Sequence, residues 1–132
     1  MKSLVAELMK RVERLAPERS WGEISIAFLD DSGISSVNAL HLDRPSPTDV
    51  ISFAYPPTPP EKDWCGEVLV NVEMALREGE ARSDVLKELA LYLAHGCDHL
   101  GGADDKTEEQ RRRMRRRELR WLREIDYSGI IA

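Results

Sequence analysis

Two histidines four residues apart, in the run His95-Gly96-Cys97-Asp98-His99, are the residues of this chain best suited to chemistry. Four helical residues make about one turn, roughly 6 Å of rise, so both imidazoles leave one face and can share a tetrahedral cation. Two ligands hold a metal weakly, and a third is expected close by. Gly101-Gly102 allows a sharp turn after the helix, which brings Asp104 or Asp105 back toward the metal. His41, the one remaining histidine, lies far upstream on an expected helix and is assigned to the surface or rim. Cys97 points away from the histidine face at this spacing and is expected to be a small buried side chain. Gly96 stands where an H-E-x-x-H peptidase needs its glutamate base, so peptide hydrolysis by that route is disfavoured.

The elements that must position these residues alternate between helical and extended periods. Leu4, Leu8, Val12 and Leu15 recur at helical spacing, and Ile24, Ile26 and Phe28 alternate with Ser25 and Ala27 as a strand with one buried face. Asp30-Asp31-Ser32-Gly33 reads as a break, followed by a short helix over 34–42 that Pro45 and Pro47 stop. Strands are expected over 49–55 and 66–70, separated by the Pro56-Pro57-Thr58-Pro59-Pro60 loop, whose prolines cannot donate to a ladder. Asn71 caps a helix through Arg82, Ser83 or Asp84 caps the histidine helix to about Leu100, and Thr107 with Gln110 has capping-box spacing for a last helix to about Ile125. The expected architecture is a single α/β (α+β) domain over 1–132, a small mixed sheet packed against helices, with the metal at the end of a central helix.

Nineteen Lys and Arg against 24 Asp and Glu leave a net charge of −5, so the chain as a whole does not advertise nucleic-acid binding and any basic surface must be local. One such surface is the last helix. From Lys106 to Arg123 it carries nine basic and three acidic side chains, a local charge of +6. Such a run is either a solvated face or a strip that holds phosphates beside the metal motif, with Arg112, Arg113 and Arg116 as the candidate contacts, while Met114, Trp121, Leu122 and Ile125 form its buried stripe. Cys65 and Cys97 are too few for a disulfide framework, and the charged opening residues do not resemble a secretory core, which favours a reducing cytoplasm. No apolar run approaches the roughly 18 residues needed to span a bilayer.

The chain resembles the YbeY endoribonucleases, or ribosomal RNA maturation factors, on two motifs in the right order. Their signature H-G-x-x-H-L-x-G-x-D-H compares with His95-Gly96-Cys97-Asp98-His99-Leu100-Gly101-Gly102-Ala103-Asp104-Asp105, compatible at ten of its eleven positions. Their upstream T-D-V-[LI]-S-F appears intact as Thr48-Asp49-Val50-Ile51-Ser52-Phe53. Asn38 matches an asparagine of the lead-in, and Gly66-Glu67-Val68 is similar to a G-D-I strand. The resemblance runs from about Ile24 to Leu122. Asp105 stands where the third metal-binding histidine belongs, Asp98 replaces a usually apolar residue, and Leu42 occupies a position where some members carry an arginine, for which Arg44 is close enough to serve.

By resemblance, His95, His99 and Asp105 hold one zinc ion in a metzincin-like arrangement, with no organic cofactor and no membrane. The implied activity is a single-strand-specific endoribonuclease that hydrolyses phosphodiester bonds with a metal-activated water. The implied partners are ribosomal RNA and the small ribosomal subunit, in maturation and quality control. The added charge of Asp105 would raise the pKa of a bound water and weaken the metal as a Lewis acid. General-base candidates are Asp98, Asp49 and Glu67. Thr48 and Asp104 are assigned to the surround, holding turns or a ligand ring, although Thr48 and Asp49 can equally cap the turn into the strand. The alternatives are a ribosome- or RNA-binding protein that lost catalysis with the third histidine, and a small zinc metallopeptidase.

Overall fold

In the computed structural model, residues 1–42 and 47–128 are described, so Arg44 and Pro45 lie outside the described residues. The element order is α1 (Lys2–Leu15), β1 (Trp21–Leu29), α2 (Asp31–Leu42), β2 (Val50–Tyr55), β3 (Trp64–Asn71), α3 (Val72–Ala81), α4 (Val85–Leu100) and α5 (Glu108–Glu124). The sheet order is β1-β3-β2, with β1 parallel and β2 antiparallel to β3. The expected α/β class and mixed sheet are therefore observed.

The pleat of β3 divides the molecule into two layers. Val68 and Val70 enter the main core with α1, α3, α4 and α5, whereas Leu69 enters a smaller core with Ile34 and Ile51 beneath α2. α4 is apolar nearly all round, with 11 buried residues among its 16. Such a helix has to sit at the centre of the fold. It is held against the sheet at Gly96, where an added Cβ would lie 2.6 Å from Val68 Cγ1 and 3.0 Å from Val50 Cγ2. Ser52 Oγ donates to the Gly96 carbonyl at 2.8 Å, so the upstream motif and the histidine motif meet at this contact.

The caps form as expected at α3, α4 and α5. Asn71 accepts from Met74 N, Asp84 from Lys87 N, and the Thr107–Gln110 box is reciprocal. Three expectations change. The Asp30–Gly33 run starts α2 instead of breaking the chain, because the Asp30 carboxylate accepts from Gly33 N at 2.7 Å and Asp30 acts as an N-cap. Leu15 is 56% exposed, since the buried stripe of α1 ends at Val12 and passes to Ala16. β1 is covered on both faces, Ile24 and Ile26 packing on the main core and Ala27 and Leu29 on the smaller one, while Phe28 at its end is 45% exposed.

Candidate metal centre

His95 and His99 lie one turn apart on α4, and the chain leaves that helix through Gly102, whose φ of 97° is the left-handed conformation that glycine adopts without strain. The turn returns Asp105 to the histidines. His95 Nε2 is 3.1 Å from His99 Nε2 and 3.7 Å from Asp105 Oδ2, and His99 Nε2 is 3.3 Å from the same oxygen. Ligand bonds of about 2.0–2.1 Å in a tetrahedral shell place neighbouring ligand atoms about 3.3 Å apart. The three atoms have the spacing of one face of such a shell, and they are the three-residue group among the described residues able to hold an ion.

The outward ring nitrogens prepare the inward ones. His99 Nδ1 lies 3.0 Å from the Ala103 carbonyl, which can only accept, so Nδ1 carries the proton and Nε2 presents its lone pair. His95 Nδ1 lies 2.9 Å from Glu118 Oε2, a carboxyl group that is 3% exposed. A buried carboxyl group behind a ligating imidazole fixes the ring and raises its basicity. Burial favours the neutral form of His95. The bonded Glu118, with Asp49 and Asp105 nearby, outweighs that and holds its pKa above the ordinary imidazole value. The same negative surroundings attract a cation, so the donor set fits a metal such as zinc.

Glu118 was not among the candidates from sequence. Its signal was present, however: it lies on the buried stripe of α5 with Met114, Trp121 and Leu122, where a charged residue needs a reason. Asp104, expected to hold the turn or a ligand ring, is exposed and approaches Lys106 at 3.9 Å, and the groups bonded to the rings are the Ala103 carbonyl and Glu118.

Three carboxylates were candidates for a general base, and the fold separates them. Asp49 lines a cleft of about 590 Å³ together with His95, Asp105, Tyr92, Arg111 and Arg115. Its Oδ1 accepts from Val50 N at 2.8 Å and from the Thr48 hydroxyl at 3.3 Å. The fully buried Asn71 fixes this turn by donating from Nδ2 to the Thr48 carbonyl at 3.1 Å, while its backbone N–H donates to the Asp49 carbonyl. Thr48 thus supports Asp49. Asp98 is 3% exposed and bound by Arg117 Nη2 at 2.9 Å through both oxygens, so it joins α4 to α5 and is not open to the cleft. Burial pushes its carboxyl pKa up, with Glu118 acting in the same direction and Arg117 against it. Glu67 lies between Gly66 and Val68, whose side-chain positions meet Leu100 and the main core, so it projects from the opposite face of the sheet, where its carboxylate accepts from the Tyr55 hydroxyl at 3.4 Å. Both placements count against a proton-transfer role, and Asp49 alone of the three borders the cleft.

His41 also lies beyond the sheet, edge-on to Phe53 with ring centroids 5.4 Å apart, so it supplies no third ligand. Cys97 is fully buried, and burial pushes its thiol up to about 12, in keeping with an inert core residue. Of the arginines singled out on α5, Arg112 and Arg116 flank a groove beside the cleft, whereas Arg113 is paired with Glu109 at 3.0 Å. The arginines lining the cleft itself are Arg111, Arg115 and Arg82, the last paired with Glu88, and they share the lining with Asp49, Glu78, Asp105 and Glu118.

No helix among the described residues is long and apolar enough to cross a membrane. The family model of endoribonuclease YbeY matches residues 1–126, extending the resemblance through α1. The chain is 30% identical to the endoribonuclease YbeY of Syntrophomonas wolfei over 131 residues, covering 92% of this chain and 82% of that protein. It is 33% identical to that of Pelotomaculum thermopropionicum over 125 residues, covering 88% and 82%. Its match to the Rhodopirellula baltica protein, 38% identical over 101 residues and 74% of this chain, spans about half of that relative's length, 51%. With a family match over residues 1–126 and the His95, His99 and Asp105 cluster at its signature motif, the chain belongs to the YbeY endoribonuclease family.

Proposed function

We propose that this protein is a zinc-dependent endoribonuclease that cuts single-stranded RNA, acting on ribosomal RNA of the small subunit during maturation and quality control. The observation that carries the reading is the convergence of His95 Nε2, His99 Nε2 and Asp105 Oδ2, 3.1–3.7 Å apart, beside a cleft that Arg111 and Arg115 of α5 border. A zinc ion held there supplies Lewis-acid polarisation of a phosphate oxygen and acidification of water. Asp49 is the base that accepts the proton of the attacking water, and Thr48 keeps its carboxylate oriented. Glu118 and the Ala103 carbonyl hold the imidazoles in the tautomer that offers Nε2 inward. Of the α5 guanidinium groups, those of Arg111, Arg112, Arg115 and Arg116, which border the cleft and the groove beside it, hold the RNA backbone. The close approach of Gly96 to Val68 leaves no room for a glutamate base at that position, which weighs against a peptidase.

Metal content by mass spectrometry, measured with cleavage of a single-stranded RNA, tests the reading in wild type and His95→Ala. Near-stoichiometric zinc and zinc-dependent cleavage, both lost in the variant, are expected; a folded wild type that binds no metal and leaves RNA intact would sink it. Accumulation of unprocessed small-subunit RNA in cells lacking the protein tests the substrate. Asp105 supports a second reading, an RNA-binding protein without catalysis, because a carboxylate replaces the third imidazole. Cleavage that appears only in Asp105→His would favour it.

A further inference from the structure

The seven residues from Arg111 to Arg117 contain six arginines, and their ion pairs are not evenly distributed. Arg111 and Arg112 reach Glu108 at 3.5 and 3.7 Å, Arg113 reaches Glu109 at 3.0 Å, and Arg117 is bound to Asp98 at 2.9 Å. Arg115 and Arg116 have no acidic partner among the described residues, and both are exposed. An unpaired guanidinium on a surface is common. The distinguishing feature is position: Arg115 borders three depressions at once.

The first is the cleft that holds His95, Asp105 and Asp49. The second runs along α5 between Arg111, Arg112, Arg115 and Arg116, over Leu119. The third lies between α5 and the start of α4, where Lys87 stands across from Arg115 above Leu91 and Leu119, while Arg82 is paired with Glu88 and Asp84 adds one carboxylate to the rim. Arg111 and Arg115, like Arg112 and Arg116, are one helical turn apart, about 6 Å along the axis. Arg111 also donates to the Asp105 carbonyl at 3.0 Å, so the inner end of this row is tied to the loop carrying the third ligand. A flexible polyanion crossing Arg115 would meet cations on both sides and an apolar floor for its sugars and bases.

We propose that Arg115 and Arg116 form the pivot of a binding track for single-stranded RNA, which leads from the metal centre across α5 toward Lys87. This assignment rests on the endoribonuclease reading and adds to it the course of the substrate on one side of the scissile phosphate. The partnered Arg113 lies outside the track, as do Arg120 and Arg123, which border none of the described depressions. Arg115 and Arg116 therefore do what the net charge of the helix alone does not: they select one route for the strand.

The test compares two double variants with the same loss of charge, Arg115→Gln with Arg116→Gln and Arg120→Gln with Arg123→Gln, in the whole 132-residue chain. Fluorescence anisotropy with a labelled single-stranded oligoribonucleotide is measured over a range of salt, with zinc content and thermal melting as structural controls. Each lost phosphate contact lowers the magnitude of the log K against log salt slope by about 0.7, so the first pair is expected to lose about 1.4 in slope and roughly tenfold in affinity near 0.15 M salt. Its KM for cleavage rises with kcat nearly unchanged, and the second pair behaves as wild type. Equal weakening in both pairs would overturn the track in favour of overall charge. Unchanged binding by the first pair, in a protein that still cleaves RNA, would overturn the track while leaving the activity intact; a wild type that neither binds nor cleaves RNA would overturn both.

Discussion

The two faces of the three-stranded sheet present polar groups in different ways. Toward α4, the groups near the metal cluster are tied to one another: Ser52 to the Gly96 carbonyl, Glu118 to His95 and Arg117 to Asp98. Toward α2, His41, Phe53 and Tyr55 form a sequence of ring contacts, with Glu67 beside the Tyr55 hydroxyl. The first face holds its side chains in fixed positions through buried hydrogen bonds, and the second covers a smaller core. Chemistry that depends on sub-ångström placement belongs on the first.

The comparison is broken most severely at the ligands. His95→Ala removes one of three ligands and is expected to lower zinc occupancy below about a tenth and RNA cleavage below detection, since two remaining ligands hold the metal weakly. His41→Ala, across the sheet, is expected to leave both within about twofold, as surface substitutions do. Retained zinc in His95→Ala, or lost zinc in His41→Ala, by mass spectrometry would reverse the assignment of the two faces.

The next largest effect separates the carboxylates. Asp49→Asn removes the proposed base and is expected to reduce kcat by about 10²–10⁴-fold at normal zinc occupancy, the usual contribution of general-base catalysis. Glu67→Gln is expected to change kcat by less than about twofold. Steady-state cleavage of one RNA by both variants decides between them. A larger loss in Glu67→Gln would return the base to the β3 motif.

Glu118→Gln sharpens the role of the group behind His95. Loss of an outer-shell carboxylate is expected to weaken zinc affinity by about 10–100-fold, read in a competition titration with a chelating dye, with the melting temperature little changed. Full affinity with a large loss of stability would make Glu118 a structural residue only. The smallest expected effect on chemistry is at the sheet contact: Gly96→Ala should cost about 1–3 kcal/mol in urea unfolding, because the new Cβ overlaps Val68 and α4 must shift. Wild-type stability would show that the helix can move away from β3 freely.

Much of the fold could be read locally. The caps at Asn71, Asp84 and Thr107, the apolar α4 and the two motif strands all depend on residues a few positions apart, and each appears where that short-range pattern places it. Asp30 shows the limit of the same approach. An acidic, serine- and glycine-containing run has low helix propensity, yet it caps α2 because its side-chain oxygen satisfies an otherwise orphan amide. Phe28 looks equivalent to Ile24 and Ile26 by alternation, but the main core does not extend over the end of β1 to cover it.

Two imidazoles at helical spacing, a glycine that allows a left-handed turn and a carboxylate within reach of return are all legible in one short stretch, because those relations follow from helix geometry and backbone sterics over about ten residues. Long-range packing is what sets Glu118, 23 residues beyond His95, behind its ring, puts Asp49 at the cleft while Glu67 faces away, and makes Arg115 border three depressions. These relations depend on the register of β3 against its neighbours and on how α5 packs across α4. That packing comes from burying apolar surface over the whole chain, so no short stretch of sequence contains it.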